Sequence, residues 1–380
     1  MVPKDNVAGE EASVLSLGSS LSRKQVSLWK RVEMDIFRDN PNYIPAIIIK
    51  KKEDEKEFFI LYQGGEPVGR AAATLDRRWM RDKRENLGFI DDFVIRPDYV
   101  HLADMLIDQC LAVLKERGVE GVIARSQSFP ALAAQEFQEL SPFGMPCNPP
   151  WYVNLFEQRS FVKYKEWANF RFTLPSQPSE EAIARWEQCL TRLHTKCHPL
   201  NMRSRSQIKE YSDITYQVLV DHFGYTPMRL MDSHSFIKYL LFGIACRIGK
   251  FRIYVLHNDS GKMIGFVSYC PDYNIALRPL VKYLSKFNPF VAIPRFVISL
   301  HRSKRAEIGA IGLLEEARMK GYIRAVDYAL GIIKEEGYEQ LDSGPVLVEN
   351  TAVVKMAESL HKRYEVSMER MRFYTLRYTF

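Results

Sequence analysis

The sequence predicts an α+β protein in which one order of elements is used twice. Three observations carry this. A chain of 380 residues exceeds one ordinary core, and two domains of about 150–200 residues each are the natural division. The stretch PSQPSEE, residues 175–181, holds two prolines and then Ser179 as a helix N-cap with acids behind it, close to the middle of the chain. Finally, two local matches recur on either side of it. EPVGRAAA (66–73) mirrors KMIGFVSY (262–269), and LKERGVEGV (114–122) mirrors IKEEGYEQL (333–341), with Gly118 opposite Gly337. A glycine just past a helix supplies the left-handed cap that turns the chain into a strand.

The first half opens with a helix over about 24–38. The hairpin EFFILYQGGEPVGRAAATL follows, its apolar runs meeting at a Gly-Gly turn. LGFIDDFVI (87–95) is a strand, HLADMLIDQCLAVLKERG (101–118) a helix ended by Gly118, and VEGVIARS a strand. A short helix near 151–157 and the strand FVKYKEWANFRFTL complete this half. The second half begins with helix QIKEYSDITYQVLVDHFG and an apolar helix over 235–248. Hairpin FRIYVLHNDSGKMIGFVSYC, strand EIGAIGLL (307–314) and helix YIRAVDYALGIIKEEG follow, then strand YEQLDSGPV, helix NTAVVKMAESLHKRY and the strand MERMRFYTLRYTF. An internal repeat on this scale is two α+β domains in tandem. The expected division is a disordered stretch 1–12, a first domain 13–175, a linker and connecting helix 176–198, and a second domain 199–380.

This order of elements resembles the GCN5-related N-acyltransferase (GNAT) fold present twice, each copy a mixed central sheet flanked by helices. The segments RDNPNYIPAIII, PVGRAAATLDRRW and PCNPPWYVNLFEQRSFVKYKEW resemble, in the same order, one bacterial group of tandem GNAT-like proteins. Some members of that group are associated with sphingoid-base N-acylation. The resemblance implies an acyl-CoA-dependent N-acyltransferase, ceramide-synthase-like, whose acceptor is a sphingoid base or another hydrophobic amine. It leaves two alternatives: an aminoacyl-tRNA-dependent transferase of similar fold, and a non-catalytic binding or scaffold protein.

In this fold a loop after the central strand turns successive backbone N–H groups toward the CoA pyrophosphate, and the next helix adds its positive N-terminal end. The family pattern Arg/Gln-x-x-Gly-x-Gly/Ala falls here on Arg318, Met319, Lys320, Gly321, Tyr322 and Ile323. Arg318 and Gly321 match, and Lys320 adds a cation. Ile323 departs, since a β-branched side chain stands where the backbone approaches phosphate closely. The first half has IRPDYVHLAD in the same place, without glycine and with Asp98 near the helix start, so one cofactor site is expected. Asn350 matches the family's Asn at the start of the following helix, placed either to reach the pantetheine arm or to cap the helix. The tyrosine that many members carry along that helix is missing from KMAESLHK. Glu315 and Glu316 are the nearest carboxylates to a thioester and are the catalytic candidates. Their bland role is to favour the helix N-terminus. His361 is a second candidate base.

Composition sets further bounds. A formal charge of +7 favours acidic partners such as phosphate-rich cofactors, anionic membrane surfaces or RNA. The opening residues lack the apolar core of a secretory signal, and no apolar run reaches the roughly 18 residues of a membrane span. Six scattered cysteines suit a reducing cytosol. Cys189, His194, Cys197 and His198 lie close in sequence but match no zinc spacing, and no metal is expected. No His-x4-Asp, nucleophile elbow or phosphate-binding P-loop occurs, so covalent catalysis has no candidate. Between Asp272 and Glu307 lie 34 residues, 273–306, without an acid. Seven are Lys or Arg, interleaved with Tyr273, Tyr283, Phe287, Phe290 and Phe296 and interrupted by Pro279, Pro289 and Pro294. Such a segment suits an anionic bilayer surface through 278–305, with domain packing and RNA binding as competing uses. The expected setting is cytoplasmic, or peripheral at the inner membrane.

Overall fold

The computed structural model describes the chain from residue 11, apart from 38–39, 41–53, 127–128, 137–138, 140, 143–144, 176–179, most of 182–196, 224–247, 249, 259, 279–288 and 315–329. Two compact units emerge. Unit 1 comprises Met1–Leu140, Gly144–Glu166 and Phe373–Phe380, and unit 2 comprises Ser141–Phe143 and Trp167–Arg372. Unit 1 therefore contains a strand segment from far away in sequence.

Unit 1 begins with strand β1 (Ser13–Gly18) and helix α1 (Arg23–Ile36). A capping box starts α1: Gln25 N donates to Ser22 Oγ, and Ser22 N donates to Gln25 Oε1. Strands β2 (Asp54–Gln63) and β3 (Glu66–Asp76) form a hairpin, helix α2 (Arg77–Lys83) follows, and β4 (Leu87–Ile95) pairs antiparallel with β3. Helix α3 (Ala103–Glu116) carries the chain to β5 (Gly121–Ala124), which pairs with β4 in parallel over Leu87–Ile90. The short strand β6 (Leu132–Ala133), helix α4 (Trp151–Gln158) and the start of β7 (Val162–Thr173) complete the local chain. The outer neighbour of β5 is supplied by Leu376–Thr379 of β14 (Ser367–Thr379). Helix α3 buries Leu106, Ile107, Cys110 and Leu114 against Ala71, Ala73, Ile90, Val122 and Leu376, which is the core of this unit.

Unit 2 repeats the plan. Strand β8 (Cys197–Pro199), helix α5 (Arg205–Phe223) and the hairpin β9 (Arg252–His257) and β10 (Met263–Pro271) open it. Short helix α6 (Tyr273–Leu277) and helix α7 (Pro289–Arg302) lead to the central strand β11 (Arg305–Leu313). Helical residues 330–335 lead back to β12 (Gln340–Asp342), parallel to β11, and then to β13 (Val346–Leu347) and helix α8 (Thr351–Tyr364). Here the outer neighbour of β12 is Arg171–Thr173 of β7. One face of the sheet packs Phe170, Val267, Tyr269, Ile308 and Leu341 under Leu330, Ile333, Ala357 and Leu360. The other packs Ile253, Val255 and Phe266 against Tyr211, Ile214 and Val218 of α5.

Sequence expectation and structure differ in places. Pro294 was expected to break the basic insertion, yet it lies inside α7. It lacks the N–H that would bond to the carbonyl four residues back, and the helix runs past it with one bond fewer. The helix expected from residue 101 begins as a 3-10 turn, Pro97–Leu102, with α3 proper from Ala103. The linker's Ser179 and the apolar helix over 235–248 lie outside the described residues.

A buried ion pair recurs at the hairpin exits. Asp76, seven residues after Gly69, accepts from Trp79 N at 3.0 Å to cap α2 and from Arg125 Nη1 at 3.0 Å. Asp272, seven residues after Gly265, accepts from Asn274 N at 2.7 Å to cap α6 and from Arg305 Nε at 2.6 Å. Each carboxylate ties the end of a hairpin to a guanidinium of the central sheet.

Leu376 is fully buried in unit 1 and pairs with Ala124. Leu376→Ala should therefore destabilise unit 1 by about 2–5 kcal/mol, as loss of a core leucine does. Urea unfolding followed by Trp29 and Trp79 fluorescence measures this, both residues being buried in that unit.

Candidate functional site

The expected phosphate loop and both candidate carboxylates, Glu315, Glu316 and Arg318–Ile323, lie outside the described residues. What precedes and follows them is described. Strand β11 enters the loop with Leu313 buried, and Leu314 N donates to Ile264 O at 2.9 Å. On the far side Leu330 and Ile333 are fully buried. Asn350 is the N-cap of α8: its Oδ1 accepts from Val353 N at 3.5 Å, and its carbonyl accepts from Val354 N at 3.1 Å. The capping role is thus occupied. His361 bonds through Nδ1 to the Val366 carbonyl, holding the turn after α8. Cys197 is buried on β8 and the next residue, His198, is exposed, so the two side chains diverge. Among the described residues no three His, Cys, Asp or Glu are grouped to hold a metal ion.

The two parallel strand pairs, β4/β5 and β11/β12, are the structural counterparts of one another. Leu87 pairs with Gly121 and Arg305 with Gln340, so Ile90 corresponds to Ile308, Asp91 to Gly309 and Arg125 to Gly344. Hairpin register likewise sets Lys56 against Phe251. At this level each central strand leaves regular register with its hairpin neighbour, between Arg70 and Ala72 in unit 1 and between Ser268 and Tyr269 in unit 2. Unit 1 holds Asp92 there at φ 52, a strained conformation for a residue with a side chain.

In unit 1 this place is filled. Arg125 donates from Nε and Nη2 to the two oxygens of Asp91, at 2.5 and 2.7 Å, and its guanidinium lies 4.1 Å from the Phe89 ring centroid. Lys56 Nζ approaches Asp91 at 3.2 Å. Burial alone would raise the Asp91 carboxyl, but Arg125 and Lys56 overcome it and hold the group well below the usual carboxylate range. Burial likewise disfavours the Lys56 ammonium, and Asp91 and Asp92 reverse that, leaving it above the usual lysine value. Further along β4, the Ile95 N–H donates to the buried Tyr152 hydroxyl at 3.0 Å, with Phe93 edge-on to Tyr152 at 5.1 Å. The following loop is closed by its own 3-10 bonds, Tyr99 N to Arg96 O among them, while Arg96 stands over the Tyr99 ring. The Tyr99 amide is thus taken up within the turn, and Pro97 has no N–H to offer an anion.

In unit 2 the same place carries no long side chain. A Cβ on Gly344 would lie 2.6 Å from the Ile308 carbonyl oxygen, and Gly344 sits at φ 71, so no other residue fits without displacing backbone. A Cβ on Gly309 would meet Phe251 and Ser268 Oγ at 3.2 Å. Two residues before these glycines, at the Glu307–Asp342 pair, a charged row crosses the sheet. Arg171 Nε donates to Asp342 Oδ1 at 2.8 Å, Arg305 Nε stands 3.5 Å from Asp342 Oδ2, and buried Glu307 pairs in register with Asp342. Burial raises the Asp342 carboxyl above its usual value against the pull of Arg171 and Arg305. Sequence reading singled out none of these residues, although aligning VEGVIARS with YEQLDSGPV sets Gly344 under Arg125.

Two α+β units, each with a central strand that parts from a parallel neighbour before a loop and helix, are now described. Residues 17–139, all within unit 1, match the acetyltransferase (GNAT) family model. Among solved structures the chain is similar to a tandem GNAT protein from the clavulanic acid biosynthesis pathway, with a TM-score of 0.51, 10% identity, and coverage of 97% of this chain and 98% of that one. The fold is a tandem GNAT fold. A GCN5-related glucosamine N-acetyltransferase region of a fungal multi-domain beta-N-acetylglucosaminidase is also similar, with a TM-score of 0.55 and 13% identity over 99% of this chain. This chain spans about two fifths, 39%, of the length of that enzyme. No protein of curated function matches the sequence. The family match thus falls on the unit whose GNAT loop is closed by a 3-10 turn.

Arg125→Ala removes the guanidinium shared by two buried carboxylates and should cost about 3–5 kcal/mol. The pH dependence has a definite sign. The folded Asp91 carboxyl lies below its ordinary 3.8, so its contribution is complete above that range and drains away as pH falls toward the folded value. Denaturant titrations between about pH 5 and pH 2 should show a shallower loss of stability in the variant than in the parent.

Proposed function

We propose that the chain is an N-acyltransferase that moves an acyl group from acyl-CoA to an amine, with one donor site, in unit 2. The observation that carries this is the asymmetry between the two units. Unit 1 fills the parting of its central strands with Asp91, Arg125 and Lys56 and takes up the Tyr99 amide within the loop that follows. Unit 2 has Gly309 and Gly344 at the same level, and the sequence that follows β11 is the one bearing Arg318, Lys320 and Gly321. In this reading Arg318 to Ile323 cradle the pyrophosphate, and Asn350 stays a cap at the start of α8. Transfer to an amine requires loss of the ammonium proton, stabilisation of the carbonyl oxygen and protonation of the thiolate. Glu315 and Glu316 follow β11 directly and are the carboxylates assigned to proton transfer.

The acceptor we favour is a hydrophobic amine of the sphingoid-base kind, met at an anionic membrane surface through 278–305. Helix α7 supports this. Val291, Arg295, Ile298 and Arg302 are all exposed and fall at spacings of four, three and four residues along one side of the helix. Apolar and cationic groups on one exposed stripe suit an anionic bilayer boundary. Among the described residues no helix is long and apolar enough to cross a membrane.

Arg318→Glu with Lys320→Glu should abolish CoA binding in calorimetry, while Arg96→Glu leaves it intact. Unchanged affinity in the double variant would remove the loop from the site. For the surface, the parent should bind vesicles more tightly as anionic lipid rises, each basic residue near the bilayer contributing about 1 kcal/mol. Changing Lys282, Lys286, Arg295 and Arg302 to Gln should release it from those vesicles. Vesicle binding that survives the four changes counts against the membrane reading, and tight salt-sensitive binding to tRNA would favour the aminoacyl-tRNA alternative.

A further inference from the structure

Helix α1 of unit 1 carries its charges the wrong way round. Its first turn holds Arg23 and Lys24 and no acid, and its last turn holds Glu33 and Asp35 and no base. The amide dipoles of a helix favour the opposite arrangement, so these cations do not serve the helix itself. Glu33 is spent inside. Arg70 Nη2 donates to Glu33 Oε2 at 2.6 Å and Nη1 donates to the Trp29 carbonyl at 2.5 Å, which fixes the side that α1 turns to the sheet. Arg23, Lys24, Lys30 and Arg31 are left exposed, and among the described residues no carboxylate pairs with any of them. By contrast Arg77, Arg96, Arg117 and Arg159 of the same unit each meet a carboxylate.

An apolar corner adjoins these cations. Among the described residues β1 is the outermost strand of unit 1. Its Leu15 pairs in register with Ile60, which lies under α1, so Leu15 takes the same face, and it stands 49% exposed. Leu17, Leu21 and Leu28, all half-buried, fill the angle between β1 and the helix. Gln25 Nε2 closes that angle with a bond to Leu17 O at 3.4 Å. Lys24 and Arg31 lie four and three residues from Leu28, so they border the leucines along the helix surface.

We propose that the basic side of α1 and its leucine corner form a surface by which unit 1 rests on an anionic phospholipid bilayer. Its composition selects that partner. Leucine beside unpaired Lys and Arg suits the boundary between acyl chains and charged headgroups. A single-stranded nucleic acid calls for aromatic rings under its bases, and Trp29, the one aromatic residue of α1, is fully buried. A second copy of the chain, added to the edge of β1 by a two-fold axis, would set two basic helices on one face of the joined sheet, where like charges repel. The surface lies outside 278–305 and does not rest on the reading of that segment or of the donor site.

The test is sedimentation of the full chain with vesicles of phosphatidylglycerol and phosphatidylcholine in equal parts, compared with phosphatidylcholine alone. Each cation near the surface is worth about fivefold, so Lys24→Gln with Arg31→Gln should weaken binding to the anionic vesicles about thirtyfold, a deficit that shrinks as salt is added. Leu15→Ser should weaken it about fivefold at low and high salt alike, because apolar burial is not screened. Lys115→Gln with Lys163→Gln removes the same charge from the α3 side of the sheet and should leave binding unchanged. Folding is read separately: the melting temperature of Lys24→Gln should hold or rise, since a cation leaves the positive end of a helix. A double variant that binds like the parent, a charge-matched control that weakens binding equally, a parent without preference for anionic vesicles, or binding lost only with a lowered melting temperature would overturn the proposal. So would tRNA binding in place of vesicle binding, or a change from dimer to monomer in Leu15→Ser, which would assign the surface to nucleic acid or to a second copy. The four changes within 278–305 act on a different segment, so either set can fail while the other stands.

Discussion

Everything in both units turns on the place where two parallel strands stop being partners. Over Leu87–Ile90 and Arg305–Glu307 the central strand is bonded on both sides. Beyond that, its backbone groups and inward side chains need other company, because buried polar groups tolerate no vacancy. Unit 1 meets the requirement with a forked guanidinium. Arg125 continues the ladder through its own N–H to Ile90 O at 3.0 Å and spreads its side chain over Asp91 and Asp76. Unit 2 has glycine at both positions, Gly309 and Gly344. One architecture thus carries a charged cluster in one unit and close packing about two glycines in the other.

The charges are arranged accordingly. In unit 1, Lys56, Arg125, Asp76, Asp91 and Asp92 hold one another in buried ion pairs. In unit 2 the ion pair Arg171–Asp342 lies at the last paired residue before the parting, and Arg305–Asp272 at the first. Such pairs contribute little net stability compared with an apolar core, but breaking one is costly, so they fix register.

Much of the fold was legible in the sequence. LGFIDDFVI marks β4 with its observed bounds, and Gly118 and Gly337, at φ 73 and 83, end their helices as left-handed caps. Strands β1 and β8 escaped notice, since SVLSLG and CHP are too short or too polar to alternate clearly. Pairing of β14 was also beyond reach. Both β5 and β12 need an antiparallel outer neighbour, and the alternation in MERMRFYTLRYTF suits either, so only tertiary contacts decide. For the candidate site the sequence offered the Arg318–Ile323 loop and the difference between the two halves, but not the residues where the central strands part. Gly309 and Gly344 lie some 35 residues apart in sequence and are brought level only by the pairing of β11 with β12.

The borrowing of Phe373–Phe380 by unit 1 bears on how the chain acquires its structure during synthesis. Domains generally fold in order as they leave the ribosome, the earliest first. Unit 1 is denied that order, because β5 ends at Ala124 and its outer neighbour starts at residue 373. At about 5–20 residues per second, the interval between the two is roughly 12–50 s. Throughout it β5 presents an unpaired edge beside a second nascent sheet that offers strands of similar character. Such an edge invites mispairing with β7 or with another nascent chain. A holdase that shields strand edges is the factor whose depletion this protein would feel first.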